Sequence, residues 1–168
     1  MLLCGCARGP GLPPPPVELY VDLDRYAGHW YEIARYPNRF ERGCVGVTAD
    51  YTLREDGRLT VVNQCWKGSF SGKRRRVRGL ARVVDTESNS RLKVSFFRPF
   101  WGDYWIVMLD PDYQWAVVSD PNRKYLWILS RHKTMDDALF ARITTQLRQW
   151  SFEPARLERT AHTFELIY

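Results

Sequence analysis

The stretch that most constrains this chain is Gly28-His29-Trp30-Tyr31, set within Asp24-Arg25-Tyr26-Ala27-Gly28-His29-Trp30-Tyr31-Glu32-Ile33-Ala34-Arg35-Tyr36. A short turn carrying Gly28 runs straight into a strand whose first large side chain is Trp30. Period-2 alternation puts Trp30, Glu32, Ala34 and Tyr36 on one face and Tyr31, Ile33 and Arg35 on the other. The glycine lets the chain turn sharply, and the indole behind it suits the plug of a closed sheet. A lone Gly-x-Trp is usually ordinary core. Here a second strand stands far downstream, Tyr125-Leu126-Trp127-Ile128-Leu129-Ser130-Arg131, and it ends in an arginine.

The chain between these two strands reads as β throughout. Val45, Val47, Ala49, Tyr51 and Leu53 alternate with smaller or polar residues, as in a half-buried strand. Glu55-Asp56-Gly57 makes a tight turn, and Leu59, Val61, Asn63 and Cys65 continue the pattern on the return strand. Further strands are expected at about 76–85, 91–98, 104–110, 114–120 and 124–131, separated by clusters of Pro, Asn, Asp and Ser. The result is an all-β chain, an eight-stranded antiparallel meander. Eight strands close into an up-and-down barrel wide enough for one small ligand.

Two helices complete the expected fold. Residues 22–28 suggest a short helical turn capped by Asp24. Thr134 is the expected N-cap of a helix over about 135–149, with Ala138, Leu139, Ile143, Leu147 and Trp150 along one face. That face would pack against the outside of the barrel. The 168 residues, 45 % of them hydrophobic, supply a sizeable core for one domain, expected to span 17–168. No apolar run approaches the ~18–20 residues of a membrane-spanning helix.

Connections in a meander alternate between the two ends of the barrel. The turns at 54–58, 85–91 and 110–114 share an end with Trp30 and Arg131. The loops at 37–43, 66–76, 98–103 and 120–124 surround the other. That second end carries Arg39, Arg42, Arg74 and Arg98 among ten basic residues, opposed by Glu41, Asp103 and Asp120. A basic mouth, within a net charge of +6, suits an anionic headgroup or surface. Phe40, Phe70, Phe100 and Trp101 lie among these cations.

Alternation proposes Tyr36, Val47, Ala49, Val61, Asn63, Gly79, Ala81, Val94 and Phe96 for the interior, with Trp105 and Trp127 as aromatic walls. Gly79 and Ala81 are small and leave room for a ligand. Both faces of 104–110 are apolar, so the phase of that strand stays open. Glu32 shares the face of Trp30. An inward carboxylate must be paired, hydrogen-bonded or protonated; Arg131, Asn63 or a ligand's polar group are the candidate partners.

These motifs resemble those of the lipocalins. Gly28-x-Trp30-Tyr31 is similar to their first signature, and Arg131 to the late arginine that packs across that tryptophan. The resemblance is greatest to the bacterial outer-membrane lipocalins, through residues 30–35, Phe40-Glu41-Arg42-Gly43 and residues 125–131. It implies a barrel that stores or carries a small hydrophobic ligand, such as a fatty acid or lysophospholipid, for envelope maintenance. Phe40 joins the interior residues as an expected ligand contact, with Arg39, Arg42, Arg74 and Arg98 at the headgroup. No cofactor is implied, and a homodimer is left open.

The first seven residues are too short for a full signal peptide and lack a basic start. Leu3-Cys4-Gly5-Cys6 resembles the end of a bacterial lipoprotein signal, with Cys6 as the lipidated residue. This implies a true start upstream and an anchor in the outer membrane. Ala7 after the cysteine, rather than Asp, agrees with that destination. Pro13-Pro14-Pro15-Pro16 then reads as a stiff tether, so residues 1–16 form a signal remnant and spacer.

Three other classes compete with a carrier. The basic run from Lys73 to Arg78 invites nucleic acid, but no RNA-binding or helix-turn-helix motif accompanies it. A transmembrane barrel needs an apolar outer face, whereas the outward candidates include Arg35, Asp50, Arg78, Arg82 and Lys93. The alternative to a carrier is an enzyme using a cavity residue such as Cys65. The three histidines show no metal-ligand spacing. Cys65 instead is expected to bond Cys44 across the hairpin. Simple register puts Cys65 opposite Gly46 or Val47, so the bond needs a bulge at Gly43 or Gly46.

Overall fold

The computed structural model describes residues 12–162. A short helix, α1 (Leu23–Tyr26), leads into β1 (Gly28–Arg35), β2 (Cys44–Leu53), β3 (Leu59–Lys67) and β4 (Arg74–Val83). β5 (Arg91–Phe97), β6 (Phe100–Leu109), β7 (Trp115–Ser119) and β8 (Leu126–Ser130) follow. Among the described residues, α2 (Asp137–Gln149) and a two-residue strand, β9 (Glu158–Arg159), come last. Strands β2 to β8 pair in chain order, β8 pairs with β1, and β1 pairs back with β2. The eight antiparallel strands therefore close into the expected barrel, with the C-terminal helix outside.

Two packed clusters hold it together. Inside lie Trp30, Tyr51, Leu59, Val61, Ala81, Leu92, Ile106, Val118 and Leu129. Between barrel and helix lie Ile33, Val107, Val117 and Ile128 against Ile143, Leu147 and Phe152. Each fully buried side chain of this size contributes about 1.5–3 kcal/mol by leaving water. The hairpin β2–β3 turns through Gly57, whose φ of +75° is the left-handed conformation a glycine adopts without strain.

Bulges interrupt simple alternation, among them one in β1 and one in β6. In β1, Glu32 sits opposite Leu129 and Ala34 opposite Ile128, so Ile33 is an extra residue. Past it the faces exchange: Arg35 turns in, opposite Trp127, and Tyr36 turns out. In β6 the register shifts between Ile106 and Met108. Tyr104 and Ile106 pack inside, while Trp105 and Val107 pack in the outer cluster.

Boundaries shift as well. Asp22, not Asp24, caps α1 by accepting from the amides of Asp24 and Arg25. Asp136, not Thr134, caps α2, and Ala138 is exposed rather than on the packed face. β6 begins at Phe100, paired with Phe97, where a loop to 103 was expected. The strand β9 had no sequence signal. It pairs with Ala34 and Arg35 beyond the last β1–β2 pair, Tyr31 with Thr48. The same segment is tied on both sides, by Thr160 N–H to the Ile33 carbonyl and Gly46 N–H to the Ala161 carbonyl.

Candidate ligand-binding site

One end of the barrel is sealed. Trp30 is fully buried and donates from Nε1 to the Tyr26 carbonyl at 2.8 Å. The Arg131 guanidinium lies 3.8 Å from the centre of the Trp30 ring. It donates to the carbonyls of Arg25, Tyr26, Ala27, His29 and Tyr113, so one side chain satisfies the turn around Gly28. Gly28 has φ +99°, and a Cβ there would stand 3.3 Å from Arg131 Nη1. Above the plug, Tyr104 Oη lies 2.7 Å from Tyr26 Oη and 2.9 Å from Tyr51 Oη. Burial raises all three phenols, Tyr51 to about 12, so this chain of hydroxyls stays neutral.

Beyond the tyrosines lies a cavity of ≈ 90 Å³. Val47, Ala49, Val61, Val94, Phe96, Val118, Trp127 and Leu129 form its apolar wall. Glu32, Glu41, Thr48 and Asn63, with the Tyr51 and Tyr104 hydroxyls, supply its polar groups. Arg35 organises the carboxylates: Nη1 donates to Glu32 Oε1 at 3.1 Å, Nη2 donates to the Glu41 carbonyl at 3.2 Å, and Nε stands 3.6 Å from Glu41 Oε2. Trp127 Nε1 also donates to Glu41 Oε2, at 3.2 Å. Thr160 Oγ1 donates to Glu32, which ties β9 into the cluster. Burial, with the Glu41 carboxylate nearby, pushes Glu32 well above the usual carboxylate range against the pull of Arg35. Asn63 Oδ1 is buried without a hydrogen-bond partner. Thr48 Oγ1 and Arg35 Nε are likewise without a hydrogen-bond partner, so the polar end offers acceptors and donors and suits a hydroxyl-bearing head, which uses both.

Of the residues expected to touch ligand, Val47, Ala49, Val61, Asn63, Phe96 and Trp127 line this cavity, and Ala81 packs in the inner cluster. Tyr36 and Trp105 do not face it. The bulge in β1 turns Tyr36 outward, where its Oη accepts from the Glu153 amide; Trp105 takes the outer of the two apolar phases its strand allows and lies under the Arg91 guanidinium. Phe40 is exposed, its ring 6.3 Å from that of Tyr125. Arg39, Arg42 and Arg74 are exposed around the mouth, Arg74 bonded to Gln64 Oε1. Arg98 lies on the outer wall of the barrel.

The cation that reaches the cavity cluster is Arg35, which alternation had placed outside. Glu32 meets Arg35 and Thr160, not Arg131 or Asn63. An inward acid with an arginine three residues away was the available signal, since the acid required a partner.

Cys44 and Cys65 are bonded, with Cα atoms 5.6 Å apart. The register passes from Val45–Trp66 to Thr48–Gln64, a bulge in which Gly46 adopts φ +61°. The proposed cavity thiol is thus not free. Among the described residues no group of His, Cys, Asp and Glu could hold a metal, and no helix is long and apolar enough to cross a membrane. Cys6 lies outside the described residues.

A closed barrel sealed by a Trp–Arg pair, with an apolar cavity and a helix on its flank, is a calyx for a small molecule. Residues 21–162 match the family model of the lipocalin-like domain, and the chain belongs to the lipocalins. It is 46 % identical over 129 residues to the outer membrane lipoprotein Blc of Escherichia coli K12, covering 74 % of this chain and 72 % of that one. It is 37 % identical over 149 residues to temperature-induced lipocalin-1 of Arabidopsis thaliana, covering 83 % and 78 %. Insecticyanin from the tobacco hornworm shares the fold at a TM-score of 0.70 and 20 % identity, over 94 % of this chain and 86 % of that one. The family identity makes this a binding barrel rather than an enzyme.

Proposed function

We propose that this lipocalin carries an acyl-chain lipid in its calyx, a lysophospholipid in preference to a fatty acid, in maintenance of a bacterial envelope. The observation that carries the reading is the cavity itself, with apolar walls and the Glu32–Arg35–Glu41 cluster at one end. An acyl chain leaving water gains about 0.8 kcal/mol per CH₂. A glycerol hydroxyl can donate to Glu41 or to Asn63 Oδ1, whereas a fatty-acid carboxylate would meet Glu41 as a like charge. Arg39, Arg42 and Arg74 at the rim suit the headgroup phosphate. At ≈ 90 Å³ the cavity is smaller than the ~300–1,000 Å³ of most ligand sites, so entry of a long chain moves the partly buried rings of Phe96 and Trp127.

The similarity to the outer membrane lipoproteins supports a place at the outer membrane, with Cys6 as the lipidated anchor. The function is tested by titrating intrinsic tryptophan fluorescence with a lysophospholipid, a fatty acid and a neutral amphiphile, at low and high salt. Saturable binding is expected, tightest for lysophospholipid and weakened by salt, with the signal largely lost in Trp127→Phe. No saturable response to any of the three would overturn the carrier reading.

A further inference from the structure

A second hollow, ≈ 320 Å³, lies on the outer wall of the barrel. It follows from an incomplete seam. β4 pairs with β5 over Leu80–Val83 alone, so residues 74–79 have no partner on that side. Over this seam stand four arginines, Arg54, Arg58, Arg78 and Arg98, with no carboxylate among the lining residues.

The charges there are only partly answered. Asp56 takes Nε and Nη2 of Arg58 and Nε of Arg54. The terminal nitrogens of Arg54 and Nη1 of Arg58 keep no partner among the described residues, and Arg78 and Arg98 make no ion pair there. Like charges gathered on one face repel, so the arrangement is costly unless an anion sits among them.

A second observation points the same way. Ser95 lines the hollow and is 6 % exposed, yet its Oγ has no hydrogen-bond partner. A buried hydroxyl left unbonded costs about 1–3 kcal/mol, so this site is short of one polar occupant. A hydroxyl at the floor and guanidinium groups around the edge are the donor set that tetrahedral oxyanions require.

We propose that this groove is a binding site for a phosphate-class anion, separate from the calyx. Ser95 Oγ donates one hydrogen bond, and Arg78 and Arg98, with the spare nitrogens of Arg54 and Arg58, close around the remaining oxygens. Two sources supply that chemistry, a soluble phosphate ester or a phospholipid headgroup. Phe97 and Phe100 stand 72 % and 76 % exposed on either side of Arg98, which places apolar rings beside the groove. Phe96 lies between groove and cavity and lines both. The site stands whether or not the calyx carries lipid.

The test uses the full chain and two probes. Inorganic phosphate is titrated calorimetrically at constant ionic strength, with chloride as the control. Saturable binding is expected, weakened about tenfold or more in the Arg78→Gln/Arg98→Gln double variant and several-fold in Ser95→Ala. Unchanged melting temperatures establish that these variants fold. Cosedimentation with phosphatidylcholine vesicles, with and without phosphatidylglycerol, is the second arm. Loss of vesicle binding in the same variants identifies a lipid headgroup as the source; phosphate binding without a vesicle effect identifies a soluble ester. Wild-type protein that binds neither probe, or folded variants that bind both as well as wild type, overturns the proposal. Trp127→Phe, which acts on the calyx, should leave phosphate binding unchanged.

Discussion

Arg35 donates to Glu32 across a bulge, 3.1 Å between Nη1 and Oε1, from two positions that regular alternation would put on opposite faces of β1. Both side chains are nearly dry, 7 % and 3 % exposed. A desolvated ion pair of this kind is a poor source of net stability but a costly one to break from one side. It sits where β1 leaves β2 for β9, so it joins cavity, mouth loop and C-terminal strand through Glu32, Glu41 and Thr160.

Arg35→Met should destabilise the fold by about 3 kcal/mol, the low end for stranding a buried charge, because Glu32 can take up a proton instead. Arg35→Met/Glu32→Gln should recover part of the loss, since the remaining amide needs no counter-ion. Urea unfolding of the two singles and the double gives the coupling, expected at ~1–3 kcal/mol. Strict additivity would mean that the two residues do not act as a pair.

Glu32 also sets a pH dependence. Its carboxyl is raised in the folded state, so between the unfolded value, ~4.3, and the raised one the folded protein holds the extra proton. Stability from this group is full below the unfolded value and is lost as pH rises through the folded one. Asp56, lowered to about 2 first by its hydrogen bond from Arg58, and Asp85, lowered first by that from the Ser88 hydroxyl, act oppositely. Their contribution is present above the unfolded value of ~3.9 and lost as pH falls. Urea midpoints of wild type and Glu32→Gln, compared from acid to neutral pH, should therefore diverge with increasing pH, the variant gaining. Parallel curves would place the carboxyl of Glu32 near its ordinary value.

Arg131→Ala should cost about 2–4 kcal/mol, because it uncovers Trp30 and leaves the carbonyls of the Gly28 turn without their donor. Lysine in its place can reach only some of those acceptors and should recover less than half. Thermal melts read the loss directly. Trp30 and Arg131 do not line the cavity, so lipid affinity in the folded fraction should hold within a factor of about two, less than 0.5 kcal/mol.

The barrel was legible because period-2 patterning, turn residues and one glycine–tryptophan pair all imply the same closed meander. Val47, Ala49, Val61 and Phe96 were placed on the cavity wall by alternation alone. Tyr36 and Arg35 were misplaced for a single reason. A bulge advances the chain by one residue and exchanges the faces, and Ile33 is not a glycine or proline that would mark it. Trp105 was misplaced because both faces of its strand are apolar, so the pattern fixes no phase. The Cys44–Cys65 bulge was foreseeable because Gly46 does mark it. β9 was invisible for a different reason: two residues carry no periodicity, and their place is set by the gap that β1 and β2 leave between them.

The disulfide ties β2 to β3, next to the gap that β9 fills, which makes its removal informative. Cys44 and Cys65 are 21 residues apart, and a cross-link of that span is worth about 3 kcal/mol by the chain-entropy estimate. For a chain of this length that corresponds to roughly 6–12 °C in melting temperature. Cys44→Ala, Cys65→Ala and the double variant should fall by similar amounts, since each removes the same bond. Beyond stability, Val47 packs against the two cysteines and lines the cavity, and Gly46 bonds the segment that follows β9. Loss of the bond should therefore loosen the cavity wall, so that lipid affinity drops several-fold more than in Arg131→Ala at matched stability. A melting temperature unmoved by reductant would show that the two thiols are free, and Cys65 would again be available for chemistry in the calyx.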